Sequence, residues 1–472
     1  MKKPRSRLMA GAACWLALVA PSLAATGDTA SWDSPGNGNP ILPGYYADPS
    51  VVEHEGRHFL YATLDPWGGE SLGCWETPDF RTWTFHTLNW PTKAACTSPT
   101  SKGAMVWAPS VVKASNGSYY MYVSVGSEVW VGVAEQPLGP WKDALGGRPL
   151  IPASWNTKYH MIDAECFIDT DGQAYLYWGS GWNWVNGRCF AVRLRPDMIT
   201  FDGEVRDVTP ENGHYFEGPL MLKAHGRYYL MYSAGKTVSD TYAVHYAVGD
   251  SPLGPFVEPK PEPILRTDHA RNIVSPGHHT VLHRDGEAYI LYHRHRVPYE
   301  EGKAFRQICL DRLRFAADGT LETVRATHAG PEWLRDPRDA PALAATATAS
   351  SSESGPFGPE KALDRNYATR WATGPRAGEV WLQLDLGSAQ PLRESEVIFE
   401  YAWKPCAVAL LGSVDGQTWQ TLADHRAKGL LGSPVRFGHE GSWRYLRLAF
   451  APGMSRSAIS VFEWNVIPAG KE

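Results

Sequence analysis

Five segments of the chain repeat one pattern, in which an apolar run, an X-Gly pair and a second apolar run follow one another. They are "DPSVVEHEGRHFLY" from 48, "APSVVKASNGSYYMY" from 108, "DAECFIDTDGQAYLY" from 163, "EGPLMLKAHGRYYLMY" from 217 and "HHTVLHRDGEAYILY" from 278. Two β-rich runs around an X-Gly pair predict a hairpin, because glycine adopts the positive φ of tight primed turns without steric cost. The turn glycines are Gly56, Gly117, Gly172, Gly226 and Gly286, and an aromatic follows each by three residues: Phe59, Tyr120, Tyr175, Tyr229 and Tyr289. The spacing of about 55–60 residues is enough for a four-stranded blade. Five such units predict a five-bladed β-propeller.

The innermost strands of a propeller converge on one central channel, so the openings of the five segments are expected to meet at its mouth. Those openings are Asp48, Ala108, Asp163, Glu217 and His278. Taken singly, Asp48 in "YYADPSVV" is an ordinary Asp-Pro turn opener. Three acids and a histidine at equivalent positions are a different matter. A pair of carboxyl groups facing each other is the equipment of glycoside hydrolysis, one ionised to activate water and one protonated to serve the leaving oxygen. A third carboxylate raises the pKa of the acid by like-charge repulsion.

The pattern changes after the propeller. "RDPRDAPALAATATASSS" has no amphipathic period and marks a linker, placed at 334–346 between a propeller over 39–333 and a second domain over 347–468. The second domain reads as short alternating strands broken by Gly and Asp-Gly, the pattern of a β-sandwich. The predicted fold class is therefore all-β. At the other end, "MKKPRSRLMAGAACWLALVAPSLAA" joins a basic start, a short apolar run and small residues around Ala24, which predicts a secretory signal peptide over 1–24 and a periplasmic or secreted protein.

Removal of that leader takes away Lys2, Lys3, Arg5 and Arg7 and no acids, moving the formal net charge from −5 to −9. A mildly acidic chain has no electrostatic reason to seek nucleic acid or anionic membranes. A monomer acting on a polysaccharide or oligosaccharide is expected. Six cysteines remain, none in a CxxC pair, which argues against a zinc site of that type; Cys74–Cys96 is a plausible disulfide. Aromatics make up 12% of the chain, a supply from which sugar-stacking platforms can be drawn. Trp107, beside the blade-two opening, and Trp178, in "YWGSGWNW" with Trp182 and Trp184, are candidates for that role. Arg306 in "FRQICLDRLRF" is a candidate for contact with a sugar hydroxyl or for an ion pair, and His214 near the Glu217 strand is a weaker candidate.

"YYADPSVV", "MIDAECFIDTDG", "YFEGPLMLK" and "PGHHTVL" resemble glycoside hydrolase family 43, a family of inverting five-bladed propellers, over roughly 39–330. The resemblance implies that Asp48 is the general base, Asp163 the pKa modulator and Glu217 the general acid. It further implies that His278, with His279 as rival, stands beside a calcium or sodium ion at the propeller centre, held mostly through waters. "AEC" at 164–166 resembles the invertase-like propellers, which would make Glu165 the acid, but the Asn-rich nucleophile segment of that group is missing around Asp48. Segments such as "NPILPGYYADPS" resemble exo-acting α-L-arabinofuranosidases, with β-xylosidase and β-D-galactofuranosidase as alternatives. A non-catalytic sugar-binding or adhesion protein is the alternative from another class. "EKALDRNYATRWAT", "VWLQLDLGS" and "SWRYLRLAF" resemble discoidin-type (coagulation factor 5/8 type C) domains, including family 32 carbohydrate-binding modules. That likeness implies a structural calcium site at Asp364, Thr369 and Glu463. Trp371, Trp381 and Trp443 are expected in the core, and Trp403 is a candidate sugar platform.

Overall fold

The computed structural model describes residues 30–335, 343–374, 378–454 and 459–470. The leader expected over 1–24 and most of the expected linker lie outside them. Five antiparallel sheets form the propeller. Their inner hairpins are Tyr46–His54 with Arg57–Leu64, Val106–Lys113 with Tyr119–Val125, Glu165–Ile168 with Ala174–Trp178, Glu217–Ala224 with Arg227–Ala234, and Gly277–Arg284 with Glu287–His295. These are blades 1 to 5. In blades 1, 4 and 5 the turn is the two-residue type that the X-Gly pairs predict. Glu55-Gly56, His225-Gly226 and Asp285-Gly286 all have positive φ, and the strands pair directly on either side. Blades 2 and 3 make a wider turn, in which the Gly117 and Gly172 N–H groups bond back to the Ala114 and Asp169 carbonyls.

The strands are apolar on both faces because each blade is packed on both sides. Leu60 and Trp75 of blade 1 meet Leu291 and Ile308 of blade 5. Phe59 and Tyr61, on the other face of blade 1, meet Met121 and Val123 of blade 2. Similar apolar layers join blades 2 and 3, 3 and 4, and 4 and 5. The ring is closed by the segment before blade 1. There the Ile41 N–H bonds Ile308 O at 2.8 Å, and Asn39 accepts the Leu310 N–H at 2.9 Å.

The C-terminal domain is a sheet structure around Trp371, Leu382, Leu410, Leu448 and Trp464. Its 19-residue strand Trp381–Phe399 bends through register shifts and pairs with strands on both sides of that core. Trp371 is core, as expected, with Trp443 partly buried against the same cluster. Two expectations are corrected here. Trp403 is no sugar platform: it packs edge-on against Tyr46 at 5.4 Å, at the seam between the two domains. Cys74 and Cys96 form no disulfide; both lie buried in the apolar layer between blades 1 and 2, where burial pushes the Cys96 thiol up to about 12.

Candidate active site

The inner strands of blades 1, 2, 4 and 5 open on a bulge, and at the equivalent point in every blade one residue has positive φ: Asp48 (54°), Ala108 (43°), Asp163 (58°), Gly218 (59°) and His278 (39°). A bulge re-aims side chains and interrupts pairing, which turns these residues towards the channel mouth. The pairing registers correct one reading of the repeat. Ala47 pairs with Thr63, Trp107 with Ser124 and Gly277 with His293, each just before the bulge. Glu217, paired with Ser233, belongs to that set. Its blade's bulged residue is Gly218, so Glu217 stands one position before the place held by Asp48 and Asp163.

A second repeat ties the blades together. The residue opposite each pre-bulge position accepts the bulge N–H of the next blade. Ala108 N donates to Thr63 Oγ1 at 2.7 Å, Asp163 N to Ser124 Oγ at 2.9 Å, and His278 N to Ser233 Oγ at 2.8 Å. Asp48 N closes the circle on His293 Nδ1 at 3.3 Å. The blade-3 member of this set is Gly179, which has no side chain to offer. The Gly218 N–H donates instead to the Asp163 carboxylate. A Cβ at Gly179 would lie 2.4 Å from Arg188 O, so glycine is required there.

The positive-φ residues Asp48, Asp163 and His278 meet Glu217, just before its bulge, and Arg306, at the start of the third strand of blade 5, in one cavity of about 280 Å³, with Trp107 on its wall. Asp48 is held on every side. Thr63 donates to Oδ2 at 2.6 Å, Arg306 Nη1 lies 3.3 Å from Oδ1, and His278 Nδ1 lies 3.2 Å from the same oxygen. Burial by itself would raise this carboxyl; His278, Arg306 and His293 overcome it and hold Asp48 well below the usual carboxylate range. Arg306 is fixed in turn by Asp65, with Nε at 2.9 Å and Nη2 at 2.6 Å, the two-point geometry that suits a guanidinium.

Glu217 and Asp163 are shifted the other way. Burial is the main cause for both. Glu217 also raises Asp163, and the Asp48 charge raises both. The two groups therefore titrate as a pair that holds a proton into a range where free carboxyls have lost theirs. Glu217 is oriented by the Tyr242 hydroxyl, which donates to Oε1 at 2.7 Å, and by the Ser180 hydroxyl, which donates to Oε2 at 3.0 Å. One carboxyl poised as a base thus shares a small cavity with one poised as an acid.

Comparison with known proteins agrees. Residues 37–321 match the model of glycosyl hydrolases family 43, and residues 346–460 match that of the F5/8 type C domain. The chain belongs to family 43. A β-D-galactofuranosidase of Aspergillus niger is 37% identical over 313 residues, covering 62% of this chain and 87% of the relative. An arabinoxylan arabinofuranohydrolase of Bacillus subtilis is 28% identical, over 62% of this chain and 65% of the relative. Among solved structures, one described as a glycoside hydrolase superposes with a TM-score of 0.77 at 29% identity, over 93% of this chain and 100% of that one. A thermostable family-43 glycoside hydrolase gives 0.52 at 30% identity, over 61% and 95%.

In this family 43 enzyme the cleft's aromatic wall differs from the expected one. Trp178 does not reach the cavity: it is 0% exposed and packs against Trp155, Phe190 and Phe201 in the layer between blades 2 and 3. Trp107, Trp182 and Trp184 do line it. His160 stacks on Trp182 at 4.2 Å, and Trp107 meets His160 edge-on at 6.0 Å. Trp67, a further lining residue and 36% exposed, has the Arg306 guanidinium over its ring at 5.3 Å. Sequence reasoning missed Trp67, Asp65, Tyr242 and Ser180, which sit outside the repeated openings. The "LDPW" run at 64–67, a second Asp-Pro next to a tryptophan, was the available signal for two of them. Glu165 is not among the cavity residues; it meets Ser110 instead, and burial pushes it up to about 7. His214 also stands apart, paired with Glu258.

The two expected ion sites differ in fit. At the propeller centre His278 spends Nδ1 on Asp48 and Asp163 (3.2 and 3.8 Å), whereas His279 is buried with neither ring nitrogen hydrogen-bonded. Too few protein donors converge there to hold a cation directly. The site fits an ion held through water beside His278, which lines the cavity as His279 does not. In the C-terminal domain Thr369 Oγ1 donates to both oxygens of Asp364 at 3.0 and 2.8 Å. Glu463 Oε2 is buried without a partner, and burial raises both carboxyls, Asp364 to about 6. An oxygen-only set with an orphaned carboxylate fits calcium.

Proposed function

We propose that this protein is an inverting, exo-acting furanosidase that removes single terminal furanosyl residues from a polysaccharide or oligosaccharide. The observation that carries this reading is the pairing in one small cavity of a carboxyl whose proton affinity is lowered with one whose proton affinity is raised. Asp48 takes a proton from a water, whose oxygen attacks the anomeric carbon from the face opposite the leaving group. Glu217 gives its proton to the glycosidic oxygen as the carbon–oxygen bond breaks, and the anomeric centre inverts. Asp163, bonded to the Gly218 N–H beside the acid, holds the start of the Glu217 strand, while burial and the Asp48 charge raise Glu217's proton affinity. A cavity of about 280 Å³ is at the small end of ligand sites and suits one sugar ring rather than a threaded chain.

Two furanosides compete. β-D-galactofuranosides are favoured by the relative that is 37% identical, and α-L-arabinofuranosides by the arabinofuranohydrolases at lower identity. The two sugars share ring and anomeric configuration and differ in the exocyclic arm, so one cleft can admit both. We place β-D-galactofuranoside first. The leader of secretory type would put the enzyme outside the cytoplasm, where such polymers are met. The test is to assay nitrophenyl β-D-galactofuranoside, α-L-arabinofuranoside and β-D-xyloside in parallel. Furanosides are expected to exceed the xyloside in kcat/KM by at least about tenfold, a difference of about 1.4 kcal/mol. A preference for the xyloside would overturn the furanoside reading and leave the catalytic carboxyls untouched.

A further inference from the structure

Away from the cleft, on blade 4, three segments bring His214, His245 and Glu258 together so that their ligand atoms all lie within 4.8 Å of one another. Among the described residues no other set of three or more His, Cys, Asp or Glu side chains does so. His245 stands on the outer strand Ala243–Gly249, Glu258 follows the bridge between Val248 and Val257, and His214 precedes the Glu217 strand by three residues. None of the three lines the cavity.

The cluster contains an ion pair, His214 with Glu258, and a second histidine that the pair does not use. The Glu258 side chain is only 5% exposed, and among the described residues no Lys or Arg pairs with it. A buried carboxylate needs a compensating positive charge. His214 Nδ1 lies 2.9 Å from Oε2, and His245 Nδ1 lies 3.9 Å from Oε1. His245 is itself only 7% exposed, and that Nδ1 has no hydrogen-bond partner. This buried nitrogen faces a buried carboxylate and makes no hydrogen bond, so it is free to serve as a ligand atom. In a tetrahedral zinc site, metal–ligand bonds of about 2.0–2.1 Å place donors roughly 3.3 Å apart, inside the range seen here. The outer partners are also present. The Tyr232 hydroxyl and the His214 N–H both donate to Glu258 Oε1, and the Tyr232 and His245 rings lie parallel, 9° apart. His214 has a side-chain exposure of 48%, which leaves a fourth position open to water.

We propose that His214, His245 and Glu258 form a binding site for a divalent transition metal, zinc foremost, that pins the lead-in to the Glu217 strand onto the outer edge of blade 4. Two imidazoles and one carboxylate are borderline donors that suit zinc, nickel or cobalt better than calcium or magnesium.

The experiment uses tag-free, chelator-stripped full-length protein, titrated with zinc chloride by calorimetry and with cobalt chloride by absorption. One zinc per chain with a Kd on the order of 1 µM or tighter, and visible cobalt bands of a four-coordinate site, are expected. His245→Ala, Glu258→Gln and the surface variant His214→Ala should each weaken binding by at least about tenfold. His269→Ala, at the exposed His269–Asp240 pair 2.9 Å apart, should bind as the parent does. Zinc should raise the melting temperature of the parent more than that of the His214→Ala variant. Absent cobalt bands, or zinc bound equally by the parent and by both His214→Ala and Glu258→Gln, would overturn the proposal. Both measurements are independent of hydrolytic activity.

Discussion

At the scale of single residues, catalysis is assigned by two opposite displacements of pKa within one cavity. The assignment needs Asp48 ionised and a proton on Glu217. Asp48 is depressed from its ordinary 3.8, so the acid limb of kcat/KM should lie below that value; Glu217 is raised from 4.5, so activity should fall with rising pH only above that value. Glu217→Gln should abolish the alkaline limb, which a pH profile reads directly. The same shifts have a sign for stability. A carboxyl raised in the folded state is more stably protonated there than in the unfolded chain, so its contribution is complete below pH 4.5 and is lost as pH rises through the folded value. Glu217→Gln should therefore melt about 2 °C or more above the parent at pH 7 while losing activity. The tryptophans separate in the same way. Trp182→Ala, at 43% exposure on the cavity rim, should raise KM and leave the fold intact. Trp178→Ala should cost about 3–5 kcal/mol of stability by denaturant titration, as expected for emptying a packed aromatic site.

At the scale of strands, the bulge is the unit that builds the site. Positive φ at Asp48, Asp163 and His278 costs on the order of 1–3 kcal/mol each, borne by the packing of ten strands around them. Gly179→Ala is the informative substitution, since the new Cβ would meet Arg188 O. It should part Gly179 from Arg188 within blade 3, shift the adjacent Ser180 that orients Glu217, and lower kcat by at least about tenfold, with little change in overall fold by circular dichroism. Much of this was legible in the chain. Hairpin turns declare themselves through Gly at fixed spacing, and those spacings count the blades. The one-residue offset of Glu217 was also legible, since Pro49, Pro109 and Pro219 align Gly218, not Glu217, with Asp48 and Ala108; the alignment by first polar residue passed over that mark. The roles of Asp65, Tyr242 and Ser180 were hidden because they hold Arg306 and Glu217 from segments that the repeat does not align. Trp178 was misjudged because an aromatic next to a glycine-rich loop reads alike whether it faces the cavity or the neighbouring blade.

At the scale of the whole molecule the two domains share side chains. Ala402 and Trp403 complete the apolar layer between blades 5 and 1, Gln307 Nε2 donates to Tyr367 O at 2.9 Å, and Gly36 N donates to Asp364 O at 2.7 Å. The Asp364 loop thus lies against both the N-terminal arm and the propeller. Removing calcium with a chelator should lower the melting temperature of the full-length protein, and Glu463→Gln should remove that response. A propeller ending at residue 335 should melt below the full chain, because the face around Tyr46 would be exposed. The central claim, that Glu217 and Asp48 act on one glycosidic bond as acid and base, is tested most directly by the leaving-group dependence of Glu217→Gln. A dinitrophenyl furanoside needs no proton to depart, whereas a furanosyl disaccharide does. The account predicts less than about tenfold loss on the first and at least about a hundredfold on the second. An equal loss on both substrates would contradict it.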